Sequence, residues 1–529
     1  MKTRTSEVTK VWLTSAVPVA CIPRQYDTMK GTPNSAATKR KEQRMGLDNY
    51  KVAVTFTGLR GYPRTVPFHP PQKYPEYRGT QLDPQNQVYH YVRETLYRLG
   101  MDSDNFDTPA WNPLKEIIQP GMMVFIKPNT VRHFHIQGKE IFSVIIHASV
   151  LRPMLDYINI ALNGRGRIII GDAQVIFGHF DEAMAIAQID ELVKWYRQQT
   201  PVPIELFDLR IYRAVPSWVG GQRARAKVEQ DPRGYQFVNL GRHSHFEGMD
   251  PKILRINIAS HKDMKAHHGP GKHEYLFPKS VLQSDVVISI PKFKTHRRTA
   301  VTMALKNHMG LPAWKDSLPH FRLGSPKEGG DQYPNSSARK RFHTKLRDRV
   351  EASPYMLAKA IYSGIDRLVW HTRYIVPFKD NVNEGMWYGN DTLWRTLLDI
   401  NRTLFYTDKD GNLRDTIQKG YLCMMDGIIG GEGDGPISCD PITPGVLMGG
   451  FNPVAFDTVG STLMGFDIDR IPLVKRGLEQ PSDLPLFCGT KESIRVVDGD
   501  ESLGLAEFQQ RRNLKFAPHP NWVGHLERQ

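Results

Sequence analysis

Short apolar runs alternate along this chain with longer stretches whose apolar residues recur at helical spacing. Val286–Ile290 (VVISI) is the clearest run, β-branched and of the length of a buried strand. Lys51–Thr57, Met122–Ile126, Arg167–Gly171, Ile204–Leu209, Ile253–Ala259 and Tyr421–Met425 read as further strands. Helical spacing marks Asn86–Leu99, Ser143–Leu162, Asp181–Gln198, Pro354–Val369 and Asp391–Tyr406, with a loop and helix over Gly450–Gly465. Strand, helix, strand in succession is the pattern of a parallel sheet. The expected class is α/β: a mostly parallel sheet with helices on both faces and loop insertions near 210–250 and 315–390. A polar tail (1–50) precedes the domain (51–470), and an extension (471–529) follows it.

The stretch after Val286–Ile290 carries the densest chemistry. Pro291 ends the strand, having no N–H for a ladder. Lys292-Phe293-Lys294-Thr295-His296-Arg297-Arg298 follows, then Thr299 as a cap for a helix over Ala300–Met309, closed by Gly310 and Pro312. A basic cluster between a strand's C-terminal end and a helix N-terminus is placed to bind an anion. The competing reading is a solvated loop. Lys127-Pro128-Asn129 ends another strand the same way, and Lys127 and Asn129 can bind and orient an anionic group. Alternatively Pro128 merely ends the strand and Lys127 reaches outward. Asp172, also at a strand end, either holds a cation or substrate hydroxyl or caps its own turn.

Asp426 to Pro436 (DGIIGGEGDGP) is the second informative stretch. It lacks the lysine of a phosphate loop, and its acids would repel a phosphate. Asp426, Glu432 and Asp434 on a tight glycine loop suit a hard divalent cation, Mg, Mn or Ca; a purely structural glycine turn is the alternative. His261, His267, His268 and His273 match no zinc spacing and read as a mobile substrate loop, with ligands to a divalent metal as the weaker alternative. His133 and His135 read as strand-face residues. Trp387 and Tyr388 form an aromatic pair able to wall a pocket.

These motifs also carry a resemblance. PKFKTH followed by TMALKNHMGLP resembles the central signature of the domain of unknown function 362 family. VFIKPN, IIIGDA, MDGIIGGEGDGP and FNPVAFDTVGS fit the same family in order, over about Val52 to Asp469. The resemblance implies an α/β domain and no assigned reaction. Some members of that family carry ferredoxin-like cysteine clusters, which this chain lacks.

Charge sharpens the picture. The 529 residues carry a formal net charge of +15, with a pI near 9.4, which favours acidic partners. Cys21, Cys423, Cys439 and Cys488 contain no C-x-x-C pair, so neither a disulfide framework nor an iron–sulfur cluster is expected, and a reducing cytoplasm fits. No run reaches membrane-spanning length, and Val11–Ala20 is too interrupted for a lipoprotein signal. The favoured reading is an enzyme for an anionic small molecule. His296, Lys294 and Lys306 would be catalytic, and Lys127, Asn129, Lys292, Asn307 and Trp387 would bind substrate. Asp426, Glu432 and Asp434 would hold a cation. Two other readings stand beside it: a redox or racemase-like enzyme with a bound cofactor, and a basic protein that binds nucleic acid, expected to be only non-specific.

Overall fold

The computed structural model describes residues 47–215, 224–256, 261–353, 382–479 and 482–528, with scattered positions between 355 and 368. The expected tail up to residue 46 and half of the helix expected over 354–369 lie outside the described residues.

Among the described residues twelve strands form one large sheet: β1 (Lys51–Phe56), β2 (Met123–Pro128), β3 (Arg167–Asp172), β4 (Ile204–Asp208), β5 (Val286–Ile290), β6 (Lys292–His296), β7 (Ala300–Thr302), β8 (Gly420–Glu432), β9 (Asp440–Ile442), β10 (Val446–Gly450), β11 (Arg495–Asp498) and β12 (Glu501–Gly504). Their order is β12-β11-β1-β10-β8-β5-β2-β3-β4, with β6 beside β8 and β7, and β9 beside β8. The sheet is mixed but mostly parallel. β8, β5, β2, β3 and β4 run parallel in succession, while β10 lies antiparallel between β1 and β8.

Alternation along the central strands sets the layers. Val124 and Ile126 of β2 join one core, and Phe125 the other; on β5, Val286, Ile288 and Ile290 oppose Val287 in the same way. Each such side chain contributes about 1.5–3 kcal/mol by leaving water. Helices α1 (Gln87–Arg98) and α2 (Ala148–Leu162) cover the first face. Helices α4 (Leu393–Tyr406) and α5 (Pro453–Met464) cover the second. A fully buried, two-sided β5 between β8 and β2 is the central parallel strand that its mainly apolar run implies.

Three segments differ from expectation. PKFKTH is not a loop: Lys292–His296 is a buried strand, because Pro291 still accepts from Asp426 N through its carbonyl (3.0 Å) and β6 pairs with β8. The helix expected over Ala300–Met309 shrinks to α3 (Ala304–Asn307), since Ala300–Thr302 folds back as β7 on β6. Ala300 takes φ +64° to make that return. The glycine stretch from Asp426 continues as β8 up to Glu432. The histidine stretch likewise has structure: His261–His267 is helical, and His268 and His273 lie buried on a small antiparallel sheet.

Candidate functional site

Parallel strands bring their carboxyl ends to one edge, and there β2 delivers Lys127 and β3 delivers Asp172. Lys127 Nζ lies 2.8 Å from Asp172 Oδ1 and donates to Pro128 O at 2.6 Å. Asp172 Oδ2 accepts from Thr130 N (3.0 Å) and Thr130 Oγ1 (2.8 Å). Gly310 allows this pair its space, because a Cβ there would collide with Asp172 Oδ1 and Lys127 Cε. Burial outweighs Asp172 and moves the Lys127 ammonium below the usual lysine range.

Asn307, on α3, ties the strand ends together. Its Nδ2 donates to Lys127 O and Ser289 Oγ, both at 3.0 Å, and its Oδ1 accepts from Asn129 Nδ2 at 3.2 Å. Asn129 Oδ1 in turn accepts from Lys294 Nζ at 3.2 Å, and Lys294 also donates to Val144 O. Burial lowers Lys294 to about 7.

These residues line a cavity of about 280 Å³, which also takes in His296, Lys306, Lys315 and His320. Among the described residues, seven lysines and arginines line it against two carboxylates, Asp172 and Asp316. Lys315 donates to Met309 O at 2.7 Å. Lys306 is different. Among the described residues it has neither a hydrogen-bond acceptor nor an ion-pair partner. Burial first, then Lys294, Arg298 and Lys127, lowers it to about 7.

Two imidazoles in the cavity have fixed protons. His296 Nδ1 accepts from Arg298 N (3.1 Å) and Thr299 N (3.3 Å), so its proton sits on Nε2. Burial, then Lys306 and Arg298, holds it well below the usual histidine range. His296 thus presents an Nε2–H donor, and burial disfavours its imidazolium form. His320 Nδ1 donates to Leu318 O (2.8 Å), leaving Nε2 as an acceptor.

The acidic half of the expected site does not converge on this cavity. Asp426 is buried on β8, with Lys292 Nζ at 2.9 Å and the Tyr62 hydroxyl at 2.6 Å; His147 N adds a third bond at 3.1 Å. Glu432 Oε2 accepts from Ala517 N at 2.8 Å, and Asp434 pairs with Arg297 (2.9 Å) and His519 (3.2 Å). The three carboxylates thus serve three different neighbours, and Lys292 belongs to the first of them. The glycines between them serve close packing: a Cβ on Gly431 would lie 2.6 Å from Ser143 O. This donor set does not fit a shared divalent cation. Trp387 is likewise outside the cavity wall, donating to Asp331 O at 2.9 Å, while its neighbour Met386 lines it.

Among the described residues one group of metal-ligand type is close enough to converge, His133, His179 and Glu182. His133 Nδ1 accepts from His179 N at 3.0 Å, so its Nε2 carries the proton and faces Glu182 Oε2 at 3.5 Å. Hydrogen bonding alone accounts for the cluster.

Lys315, His320 and Thr130 went unnamed in the sequence, and so did Arg210. Arg210 holds the cavity's 175–178 wall through Val175 O and Gly178 O, both at 2.9 Å, while paired with Asp208. Its signal was the FDLR ending of β4, a third charged strand end on the same edge.

Residues 239–462 match the model of the Domain of unknown function (DUF362) family. No curated protein matches the chain. A crystal structure of a Thermotoga maritima protein from a structural genomics consortium aligns at 10% identity and a TM-score of 0.27, covering 67% of this chain. The aligned part spans about half (54%) of that protein's length. That likeness is too slight to bear on fold or function. No helix among the described residues is long and apolar enough to cross a membrane.

Proposed function

Residues 239–462 belong to the Domain of unknown function (DUF362) family, and from the cavity at this segment's junction with β2 and β3 we infer that the protein is an enzyme for an anionic small molecule, carboxylated or phosphorylated. One observation carries the reading. A cavity whose described lining has seven cations and two carboxylates holds, in Lys306, an ammonium that no described residue partners. Uncompensated positive charge in a low-dielectric pocket is costly, and an anionic occupant offsets that cost. Lys127 and Asn129 position the occupant, and Asn307 fixes Asn129. Lys294 and Lys306, both near 7, are the groups able to exchange protons at neutral pH. His296 donates from Nε2 to an oxygen that gains charge.

A divalent cation that takes part would arrive on the substrate's own oxygens, since Asp426, Glu432 and Asp434 are dispersed. Cytoplasmic residence belongs to the same proposal, from cysteine spacing that offers no disulfide framework.

Thermal melting with paired ligands tests the reading. Inorganic phosphate, 2-oxoglutarate and phosphoenolpyruvate should raise the melting temperature, and their neutral analogues (esters and amides) should not. Equal effects of charged and neutral members would remove the basis for an anion site.

A further inference from the structure

Among the described residues five lysines lie in or beside this site, and four of them are held. Lys127 is paired with Asp172, Lys292 with Asp426 and Tyr62, Lys294 with Asn129 Oδ1 and Val144 O, and Lys315 with Met309 O. A lysine donating to carboxylates or carbonyls is held in position with its hydrogens engaged, and such an amine is a poor nucleophile. Lys306 alone has no acceptor among the described residues, yet it lines the cavity and is partly accessible through it. Its helix, α3, is anchored at its start by Asp457, which accepts from Ala304 N (2.7 Å) and Leu305 N (3.2 Å), and at its end by Asn307. The amine is thus free to react while its backbone is held.

Resting on the anion-site reading, we propose that Lys306 is a covalent nucleophile. It forms an imine with a small carbonyl compound whose carboxylate or phosphate is held by the surrounding cations.

The environment supports the chemistry. A lysine activated by desolvation beside other cations is a recognised route to a reactive amine, and burial with Lys294, Arg298 and Lys127 brings Lys306 to about 7, so a substantial fraction is uncharged at neutral pH. In the first step the Nζ lone pair attacks the carbonyl carbon and the C=O π pair moves to oxygen. The oxygen gains a proton and the nitrogen loses one, giving a carbinolamine. The nitrogen lone pair then expels the hydroxyl, which takes up a second proton and leaves as water. Amine, carbonyl and one proton become iminium and water. His296 Nε2–H, in the same cavity, is a donor for the developing oxyanion, and Lys306 is the first cation acting on that imidazole after burial. The iminium is an electron sink for loss of a proton or a carboxylate from the adjacent carbon, so such losses are the reactions this site would promote.

Borohydride reduction tests the proposal on the full-length protein. Pyruvate, 2-oxoglutarate and dihydroxyacetone phosphate are each added with sodium borohydride, and the adduct is located by peptide mapping. The expected result is one reduced adduct on Lys306, competed by inorganic phosphate and absent from Lys306→Met and Lys306→Arg. Labelling by the two oxo acids alone assigns a carboxylate substrate, and by the phosphate alone a phosphorylated one. Labelling should fall as pH drops below about 7, where Lys306, facing Lys294, Arg298, Lys127 and Asp172, is protonated. The wild-type map needs no variant to fold. Absence of an adduct on Lys306 with all three probes, or labelling spread over surface lysines, overturns the proposal. If the probes still raise the wild-type melting temperature, the anion site survives and only the covalent step is lost. If they neither label nor stabilise, both readings fail.

Discussion

Lys292 Nζ lies 2.9 Å from Asp426 Oδ2, and neither side chain is exposed. Tyr62 closes the pair, donating to Asp426 Oδ1 at 2.6 Å and accepting from Lys292 Nζ at 2.8 Å. The basic stretch and the acidic stretch, far apart in sequence, are stitched together by a structural ion pair rather than by a shared ligand. Removing one partner leaves a buried charge alone, which costs about 3–5 kcal/mol. Lys292→Met and Asp426→Asn should each lower unfolding free energy by that order in urea titrations, while Lys292→Met with Asp426→Leu recovers most of it. Single variants of native stability that have lost ligand binding would instead return the pair to the site.

On the proposed reading, the near-neutral lysines should make anion binding pH-dependent. An anion binds the ammonium forms and raises their pKa, so binding takes up protons above pH 7. Affinity should fall as pH rises from 7, by up to about tenfold per unit for each lysine that must be protonated. Calorimetry in two buffers of different ionisation enthalpy reads the proton uptake. Stability runs the other way. Lys294 and Lys306 are depressed in the folded state to about 7 from 10.5, so the unfolded chain binds more protons between these values. Their contribution to stability rises with pH from 7 towards 10.5, and Lys306→Met should flatten that rise in pH-dependent melts. An unchanged slope would contradict the assignment.

The C-terminal segment straps the acidic stretch. Glu432 accepts from Ala517 N, Trp522 Nε1 donates to Arg297 O at 2.9 Å, and Phe516 lies 4.8 Å from Phe293, ring to ring. Trp522 is fully buried, so Trp522→Ala should cost about 3–5 kcal/mol. Glu432→Gln should change stability little, since its carbonyl oxygen still accepts from Ala517 N, and should leave anion binding intact. Loss of binding in Glu432→Gln would show that this carboxylate serves the ligand after all.

Much of the frame was legible from local pattern. The mainly apolar run of β5 implied a strand buried on both faces, and the charged residues after β2 and β3 implied one functional edge. Lys127, Asn129, Lys294, His296, Lys306 and Asn307 do meet at the cavity. What was not legible depends on distant pairing. Pro291 reads locally as a strand end, yet β6 continues because β8, more than a hundred residues later, supplies its partner. Glycines at 427, 430 and 431 read as a loop, whereas they let β8 pack closely on β6, β9 and β10. Once that stretch is a strand, Asp426, Glu432 and Asp434 take separate neighbours. Proton positions on His296 and His320 follow from turn geometry that no spacing encodes.

Net charge of +15 predicts a second, weaker behaviour. Nucleic acid should bind without sequence preference, through phosphate neutralisation alone. Fluorescence anisotropy against salt should show affinity falling steeply and equally for unrelated sequences. Selective binding that persists at high salt would favour a nucleic-acid function over an enzyme.

The most direct measurement is calorimetric titration of 2-oxoglutarate and of inorganic phosphate into the wild type and Lys306→Met, with melting curves on both proteins. A cavity that needs an anion to balance Lys306 predicts at least about a tenfold loss of affinity, or 1.4 kcal/mol, in the variant. It also predicts a melting temperature that does not fall, because the removed charge has no ion-pair partner among the described residues. Equal affinity in the two proteins, or binding to neither, would contradict the account.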